Sequence, residues 1–204
     1  MFLDLNPLAF VFSFGAVILA ITVHEFAHAW TADRLGDPTP RLQGRVTLNP
    51  LAHLDLLGTI AMLLTRFGWG KPVMFDPYNL ENPRRDAAVI AVAGPASNII
   101  MAVAVSVLLR FLPLPDLLAA FFGVFVVINI SLAVFNFIPV HPLDGGKILI
   151  GLLPKDAARD VDSILNRYGI FILLLLIFPF GNSQSPVSYL VAPIVEGILK
   201  ILLG

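Results

Sequence analysis

The residues best suited to chemistry stand at positions 24–28, which read His-Glu-Phe-Ala-His. Two histidines four residues apart lie on one face of a helix, about 40° apart around its axis, so both imidazoles can reach a single metal ion. Glu25 lies beside the first histidine, where its carboxylate can reach a water at that metal and act as a general base. The pattern therefore indicates a metal site with a base next to it.

A third ligand is needed, because catalytic zinc usually takes three protein ligands and leaves one position open. The chain has no cysteine, so this ligand must be a histidine or a carboxylate. Four residues are candidates: Asp144, His141, His53 and Asp55. Asp144 is favoured because it lies at a helix break beside glycines, which let the backbone turn its side chain inward. The metal would polarise water and a carbonyl, while Glu25 would remove the proton and later return it.

The setting of the histidines is membrane-like, since residues 8–23 before them contain no charged side chain. The chain is 57% hydrophobic and 13% charged, whereas a soluble domain averages about 25% charged. Ionisable groups inside a membrane-length apolar segment are costly and usually functional. The net charge of −1 gives no reason to expect a nucleic-acid partner. We therefore predict an all-α polytopic membrane protein whose environment is the lipid bilayer.

The elements that must position these residues are predicted from the apolar runs. Residues 8–30, 87–109 and 117–137 are each about as long as a bilayer core requires. Shorter runs at 51–64, 168–178 and 187–203 bring the expected total to five or six membrane segments. We expect a single integral-membrane domain over residues 1–204, with a core at 8–155 and a C-terminal helical hairpin at 156–204. No removable signal peptide is expected at the start.

Short β-strands are expected near the site. Residues 41–43 and 45–48 form a candidate pair turning at Gly44, for which a solvated loop is the alternative, and residues 72–75 are another candidate strand. An exposed strand edge would let an extended peptide add to it by main-chain hydrogen bonds. Val46 and Thr47 are therefore candidate substrate-binding residues.

Two asparagines in the predicted spans, Asn98 and Asn136, are costly in lipid and should face inward. One interpretation is that they form hydrogen bonds between helices. The other is that they bind substrate, with Asn136 holding the substrate backbone near the helix break.

The positions of lysine and arginine predict the orientation. If residues 51–64 crossed the membrane, cationic loops would lie on both sides, against the positive-inside rule. If this segment dips in and returns, nearly all the cations face the cytoplasm and Arg110 lies outside. The second arrangement places the N-terminus outside. It also brings the histidine pair and Asp144 to the same, cytoplasmic side.

Several motifs recur in one order along the chain. Residues 24–28 are followed by Asn-Pro-Leu-Ala-His-Leu-Asp at 49–55, by Gly-Pro-Ala-Ser-Asn at 94–98 and by the segment 136–146, which ends in Asp-Gly-Gly. Over residues 8–155 the chain resembles the site-2 protease family (peptidase M50) of intramembrane zinc metalloproteases. It looks like a minimal prokaryotic type without a PDZ or CBS domain.

The resemblance implies one zinc ion bound by His24, His28 and Asp144, with Glu25 as the catalytic base. It also implies that the substrates are transmembrane segments of other proteins, which unwind before they are cleaved. His141 departs from the pattern, because members often have an apolar residue or proline there. One hypothesis is that His141 brings a further nitrogen near the metal and tunes or inhibits the site. Otherwise His53 and His141 are second-shell or surface residues.

Two functions from other classes use the same features. A membrane metal transporter could use these ligands, and a non-cleaving scaffold could bind helices. A transporter has no need of a base beside its first histidine, and a scaffold is expected to have lost part of the ligand set. Because His24, Glu25, His28 and Asp144 are all present, the peptidase is favoured.

Overall fold

The computed structural model describes residues 7–65, 68–179 and 184–204, and its regular structure is helical. The α-helices are α1 (Pro7–Arg34), α2 (Thr39–Leu42), α3 (Leu56–Thr65), α4 (Pro83–Phe111), α5 (Asp116–Asn136), α6 (Asp144–Leu152), α7 (Lys155–Ile177) and α8 (Pro186–Leu203). In this part of the chain, α1, α4, α5 and α8 are long and apolar enough to cross a membrane. The prediction of an all-α, multi-pass membrane protein is confirmed.

These four helices share one apolar core. Its buried members are Ala16 from α1, Ala102 and Val105 from α4, Phe125, Val126 and Ile130 from α5, and Val195 from α8. Small residues on α1 and α4 allow close helix approach, which is how membrane helices gain packing energy without a hydrophobic drive. Large apolar side chains such as Val11 and Ile100 point outward and are exposed. This apolar outer surface is suited to contact with lipid chains.

The segment around α3 leaves the bundle and returns to the same place. Ten residues of helix span about 15 Å, half of the roughly 30 Å of a bilayer core. Leu54 before α3 forms an isolated antiparallel bridge with Gly70 after it, and the Lys71 N–H donates to the His53 carbonyl at 2.8 Å. The two ends of this segment therefore lie side by side, as the predicted re-entrant arrangement requires.

The predicted strands are absent from the described residues. Arg41 and Leu42 belong to α2 instead, and residues 45–48 and 72–75 have irregular backbone. The Arg45 side chain donates to the Lys71 and Pro72 carbonyls. A side chain thus takes the acceptors that a neighbouring strand would need, and Pro72 has no N–H to offer.

Asp37 fastens the following loop to the end of α1. Its fully buried carboxylate accepts hydrogen bonds from the Thr39 hydroxyl and N–H, the Asn79 amide and the Asp76 N–H. Burial raises the pKa of Asp37, but these donors outweigh it and hold the pKa below its ordinary value. Residues 76–79 are thereby held against the same end of α1.

The chain at the break between α5 and α6 is held in place by a close backbone approach at Gly145 and by packing against α7. A side chain on Gly145 would strike the carbonyls of Phe137 and Ile138, so only glycine lets the first turn of α6 lie this close. Val140 and Leu143 in the break pack on Leu173 of α7. Because α7 already begins at Lys155, the charged residues after 155 are part of a helix that continues through the predicted apolar run at 168–178.

Candidate metal centre and catalytic cavity

Three side chains from two separate parts of the chain converge on one point. The His24 Nε2 atom lies 3.0 Å from the His28 Nε2 and 3.0 Å from the Asp144 Oδ2, and the His28 Nε2 lies 3.3 Å from that same oxygen. One turn of α1 separates the histidines, and Asp144 is the first residue of α6. Within the described residues these three form a group able to hold a metal ion.

The hydrogen bonds behind His24 determine which ring nitrogen carries its proton. The Asn98 amide nitrogen donates to the Ala20 carbonyl and to the Asn129 Oδ1, so the Asn98 Oδ1 faces the His24 Nδ1, 2.7 Å away. That oxygen can only accept, so Nδ1 must donate. Asn98 is fully buried behind His24. Its bonds to α1 and α5 are those of the interhelical interpretation, and its substrate-binding role stays a prediction.

His28 is oriented in the same way by the backbone of α4. Its Nδ1 lies 2.7 Å from the Ile90 carbonyl, which can only accept, so this nitrogen also carries its proton. With Nδ1 turned to its acceptor, each ring directs its Nε2 at the shared point.

The donor set fits a metal cation. Two nitrogen lone pairs meet a carboxylate oxygen, and this Asp144 Oδ2 is buried without a hydrogen-bond partner. An orphaned buried acceptor is costly. Tetrahedral zinc with ligands at about 2.0–2.1 Å places its donors roughly 3.3 Å apart, close to the spacing seen here. The three residues therefore fit a zinc ion.

Gly94 of α4 makes room for the two imidazoles. A Cβ atom at this position would lie 2.5 Å from the His28 Nε2 and 2.7 Å from the His24 Cε1. The rings thus fill the space that the missing side chain leaves. The motif at 94–98 consequently serves the site twice, with Gly94 in front of the rings and Asn98 behind one of them.

Glu25 lies in a cavity of about 110 Å³ beside the three ligands. The Val73 N–H donates to its Oε2 at 2.9 Å. No other hydrogen bond reaches this carboxylate from the described part of the chain, so Oε1 is free for a water molecule. Asn136 also lines the cavity, while its amide donates to the Leu132 carbonyl at 3.0 Å. Its substrate-binding role stays a prediction.

Arg45 is a site residue that the sequence did not indicate. Its side chain is only 4% exposed and its Nη2 lies 3.8 Å from the Glu25 Oε2. Burial lowers the pKa of Arg45 and the nearby Glu25 opposes this, but an arginine keeps its charge in proteins. The guanidinium holds the carbonyls of Lys71 and Pro72, and so it fixes residues 71–75, here called the strap, across Glu25. A cation in a turn-rich loop gives no sign of such burial.

His53 supports Arg45 from behind. The His53 Nε2–H donates to the Thr47 carbonyl at 2.7 Å, which leaves its Nδ1 as an acceptor facing the Arg45 Nη2 at 3.4 Å. Burial lowers the pKa of His53 and keeps it neutral, as this role requires. Thr47 and Val46 do not line the cavity, and the strand on which their predicted role rested is not formed.

The other candidate ligands lie elsewhere. Asp55 accepts from the Gly58 N–H at 2.8 Å. The His141 Nε2 lies 3.5 Å from the Asp162 Oδ1 of α7, and its ring contacts the space in front of Gly146. The hypothesis that His141 reaches the metal is therefore wrong, because its ring is turned toward α7.

Comparison with known proteins agrees with this chemistry. Residues 114–176 match the model of peptidase family M50. The chain is 34% identical over 198 residues to "Putative zinc metalloprotease YwhC" of Bacillus subtilis, covering 91% of this chain and 88% of that protein. It is 28% identical over 190 residues to "Putative zinc metalloprotease Rip2" of Mycolicibacterium smegmatis, covering 87% and 73% respectively. No solved structure matches.

Proposed function

This chain belongs to peptidase family M50, and we propose that it is a zinc endopeptidase that hydrolyses peptide bonds within the membrane-spanning segments of other proteins. One observation carries the proposal. The Nε2 atoms of His24 and His28, on the membrane-length helix α1, converge with the Asp144 Oδ2 on one point beside Glu25. A metal transporter would need the metal ligands but no such base. A binding scaffold would need neither the metal ligands nor the base.

His24, His28 and Asp144 would hold the zinc ion. A bound zinc supplies Lewis-acid chemistry, because it lowers the pKa of water and polarises the carbonyl to be attacked. Asn98 and the Ile90 carbonyl hold the two imidazoles in the tautomer that ligation requires. These hydrogen bonds orient the two imidazole rings before zinc binds.

Glu25 moves the proton. Its free Oε1 takes a proton from the attacking water as the new carbon–oxygen bond forms, and later passes it to the leaving amine nitrogen as the carbon–nitrogen bond breaks. Val73 and Arg45 hold the other oxygen, so the carboxylate cannot turn away during these two transfers.

The depth of the site supports a substrate within the bilayer. His24 lies ten residues before the end of α1 at Arg34, which is about 15 Å along the helix axis. By the positive-inside distribution this end of α1 faces the cytoplasm. The cut bond would therefore lie below the membrane surface on the cytoplasmic side.

The substrate would be extended at the cut bond. A helix with its side chains is about 10 Å wide, which a cavity of about 110 Å³ cannot contain. The strap replaces the predicted strands as the partner of an extended chain. In the described part of the chain, Met74 makes no main-chain hydrogen bond, so its N–H and C=O are available to a peptide.

The test uses the purified protein in liposomes with a model transmembrane substrate. We expect one intramembrane cut, located by mass spectrometry, which stops when a chelator removes zinc and resumes when zinc is restored. Asp144→Asn should lose zinc and activity, whereas Asp116→Asn, an exposed aspartate at the start of α5, should keep both. Undiminished cleavage by zinc-free protein would overturn the proposal.

A further inference from the structure

A second cavity continues outward from the catalytic cavity. This outer groove has a volume of about 650 Å³ and lies between the strap, the start of α4, α6 and α7. The two cavities share the lining residues Pro72, Val73, Phe75, Pro142 and Lys147. A chain that leaves the catalytic cavity on this side must therefore pass through the groove.

Two cations of the groove have no anionic partner in the described part of the chain. Arg84 and Lys147 form no ion pair with any described residue. The Arg84 Nη1 is shielded from solvent and donates no hydrogen bond. Lys147 only stacks its ammonium over the Phe75 ring, 5.0 Å from its centre. A shielded donor without an acceptor is costly and points to an acceptor supplied from outside.

The groove's own carboxylate does not neutralise them. Asp162 lies 3.5 Å from His141 and accepts from the Asn166 amide at 3.0 Å. In the groove the two cations Arg84 and Lys147 therefore outnumber the one carboxylate, and neither is ion-paired with it.

We infer that the outer groove binds an acidic stretch of substrate, just outside the cut bond, through Arg84 and Lys147. This inference rests on the proposed function and deepens it by naming the class of substrate. A carboxylate can take paired donors from the arginine fork and one from the ammonium. Meanwhile the substrate main chain can pair with Met74 in the strap. The groove thus selects segments with aspartate or glutamate where they emerge on the side at which α4 begins.

An anionic lipid headgroup would suit the same two cations. The peptide fits better, because the groove opens into the catalytic cavity and its strap wall offers the main-chain donor and acceptor of Met74. An extended peptide matches the spacing of that donor and acceptor through its own main chain.

Three substrates test the inference, differing only in four residues outside the cut bond: acidic, neutral amide or basic. The wild-type protein should cleave the acidic form about tenfold better than the neutral one in kcat/KM, mainly through KM, and less so at high salt. Arg84→Gln with Lys147→Gln should bring this ratio toward one. Arg84→Glu with Lys147→Glu should favour the basic substrate, an inversion that misfolding cannot produce. The control is Arg85→Gln, an exposed neighbour outside the groove, which should keep the wild-type ratio.

A binding measurement separates this inference from the proposed function. The Glu25→Gln form in zwitterionic vesicles should bind the acidic, neutral and basic fluorescent peptides in that order of affinity. If the peptides bind in this order and the wild-type protein cleaves none of them, the peptidase proposal is wrong. The inference that the groove binds acidic peptides is then supported on its own. If the wild-type protein cleaves all three substrates equally well, the inference about the groove is wrong and the peptidase proposal is unaffected. If the affinities are equal while Arg84 and Lys147 only increase binding of phosphatidylglycerol, the occupant is a lipid and the inference is wrong.

Discussion

At the scale of single residues, the histidine ligands depend on partners that a sequence pattern does not display. The types and spacing of His24, Glu25 and His28 predict a metal site, and the glycine-flanked Asp144 could be singled out as its completion. The proton positions on the rings follow only from contacts with α4, which is 62 to 74 residues away in sequence. Asn98 could be recognised as inward-facing, but its role required its neighbours to be known.

Replacement of Asn98 by leucine should weaken zinc binding by roughly 10- to 100-fold, because the His24 ring loses the acceptor that holds its tautomer. Competition with a zinc chelator measures this affinity. Ser97→Ala is the matched control, since the Ser97 hydroxyl only bonds to the Gly94 carbonyl one turn back. Unchanged zinc affinity in the Asn98 variant would contradict the positioning role.

At the scale of elements, the spans were predictable and the loops were not. Long apolar runs identify α1, α4 and α5, because burying backbone in lipid demands helices. The strap and the chain before it could not be predicted, since the buried side chain of Arg45 competes with main-chain pairing. Strand propensity in residues 45–48 and 72–75 is therefore overridden by one tertiary contact.

The close approach of α4 to α1 predicts a sharp contrast between two glycines. Gly94→Ala should displace both imidazoles and abolish zinc binding, because its Cβ would lie 2.5 Å from the His28 Nε2. Gly123→Ala in α5 meets no atom within 4 Å and should stabilise the protein by about 1 kcal/mol. Metal analysis and thermal unfolding measure the two effects. Full zinc content in the Gly94 variant would show that zinc binding does not need the space that Gly94 leaves for the two imidazoles.

Arg45→Met should release the strap from Glu25 while the three ligands stay in place. We expect full zinc content, a fall in kcat of at least about tenfold, and faster hydrogen exchange at the Val73 amide. Arg41→Met should change none of these, because the Arg41 side chain is 65% exposed and pairs with Asp33, away from the strap. If Val73 stays protected in the Arg45 variant, then Arg45 does not hold the strap.

At the scale of the whole molecule, charge distribution and the return of α3 agree on one topology. Because residues 53–54 and 70–71 are in contact, the two ends of the segment around α3 lie together, as expected of a segment that does not cross the membrane. This contact between distant residues supports what the lysines and arginines predicted. The histidines and Asp144 can therefore share one site.

The chain has no cysteine of its own, so single cysteines report its topology directly. Lys71→Cys and Arg110→Cys should be labelled by an impermeant reagent from opposite sides of the membrane. Both residues are exposed, and α4 with its 29 residues separates the two sides. Labelling from one side only would contradict the arrangement of α3 and α4.

The most direct test of the account measures zinc content and cleavage on the same preparation of Glu25→Gln. We predict that Glu25→Gln binds one zinc ion per chain, as the wild type does. Its cleavage rate should be lowered by about 10²- to 10⁴-fold, because only the base is lost. Glu196→Gln, which changes an exposed glutamate of α8, should retain both zinc and rate. Cleavage at the wild-type rate by zinc-loaded Glu25→Gln would show that Glu25 is not the catalytic base.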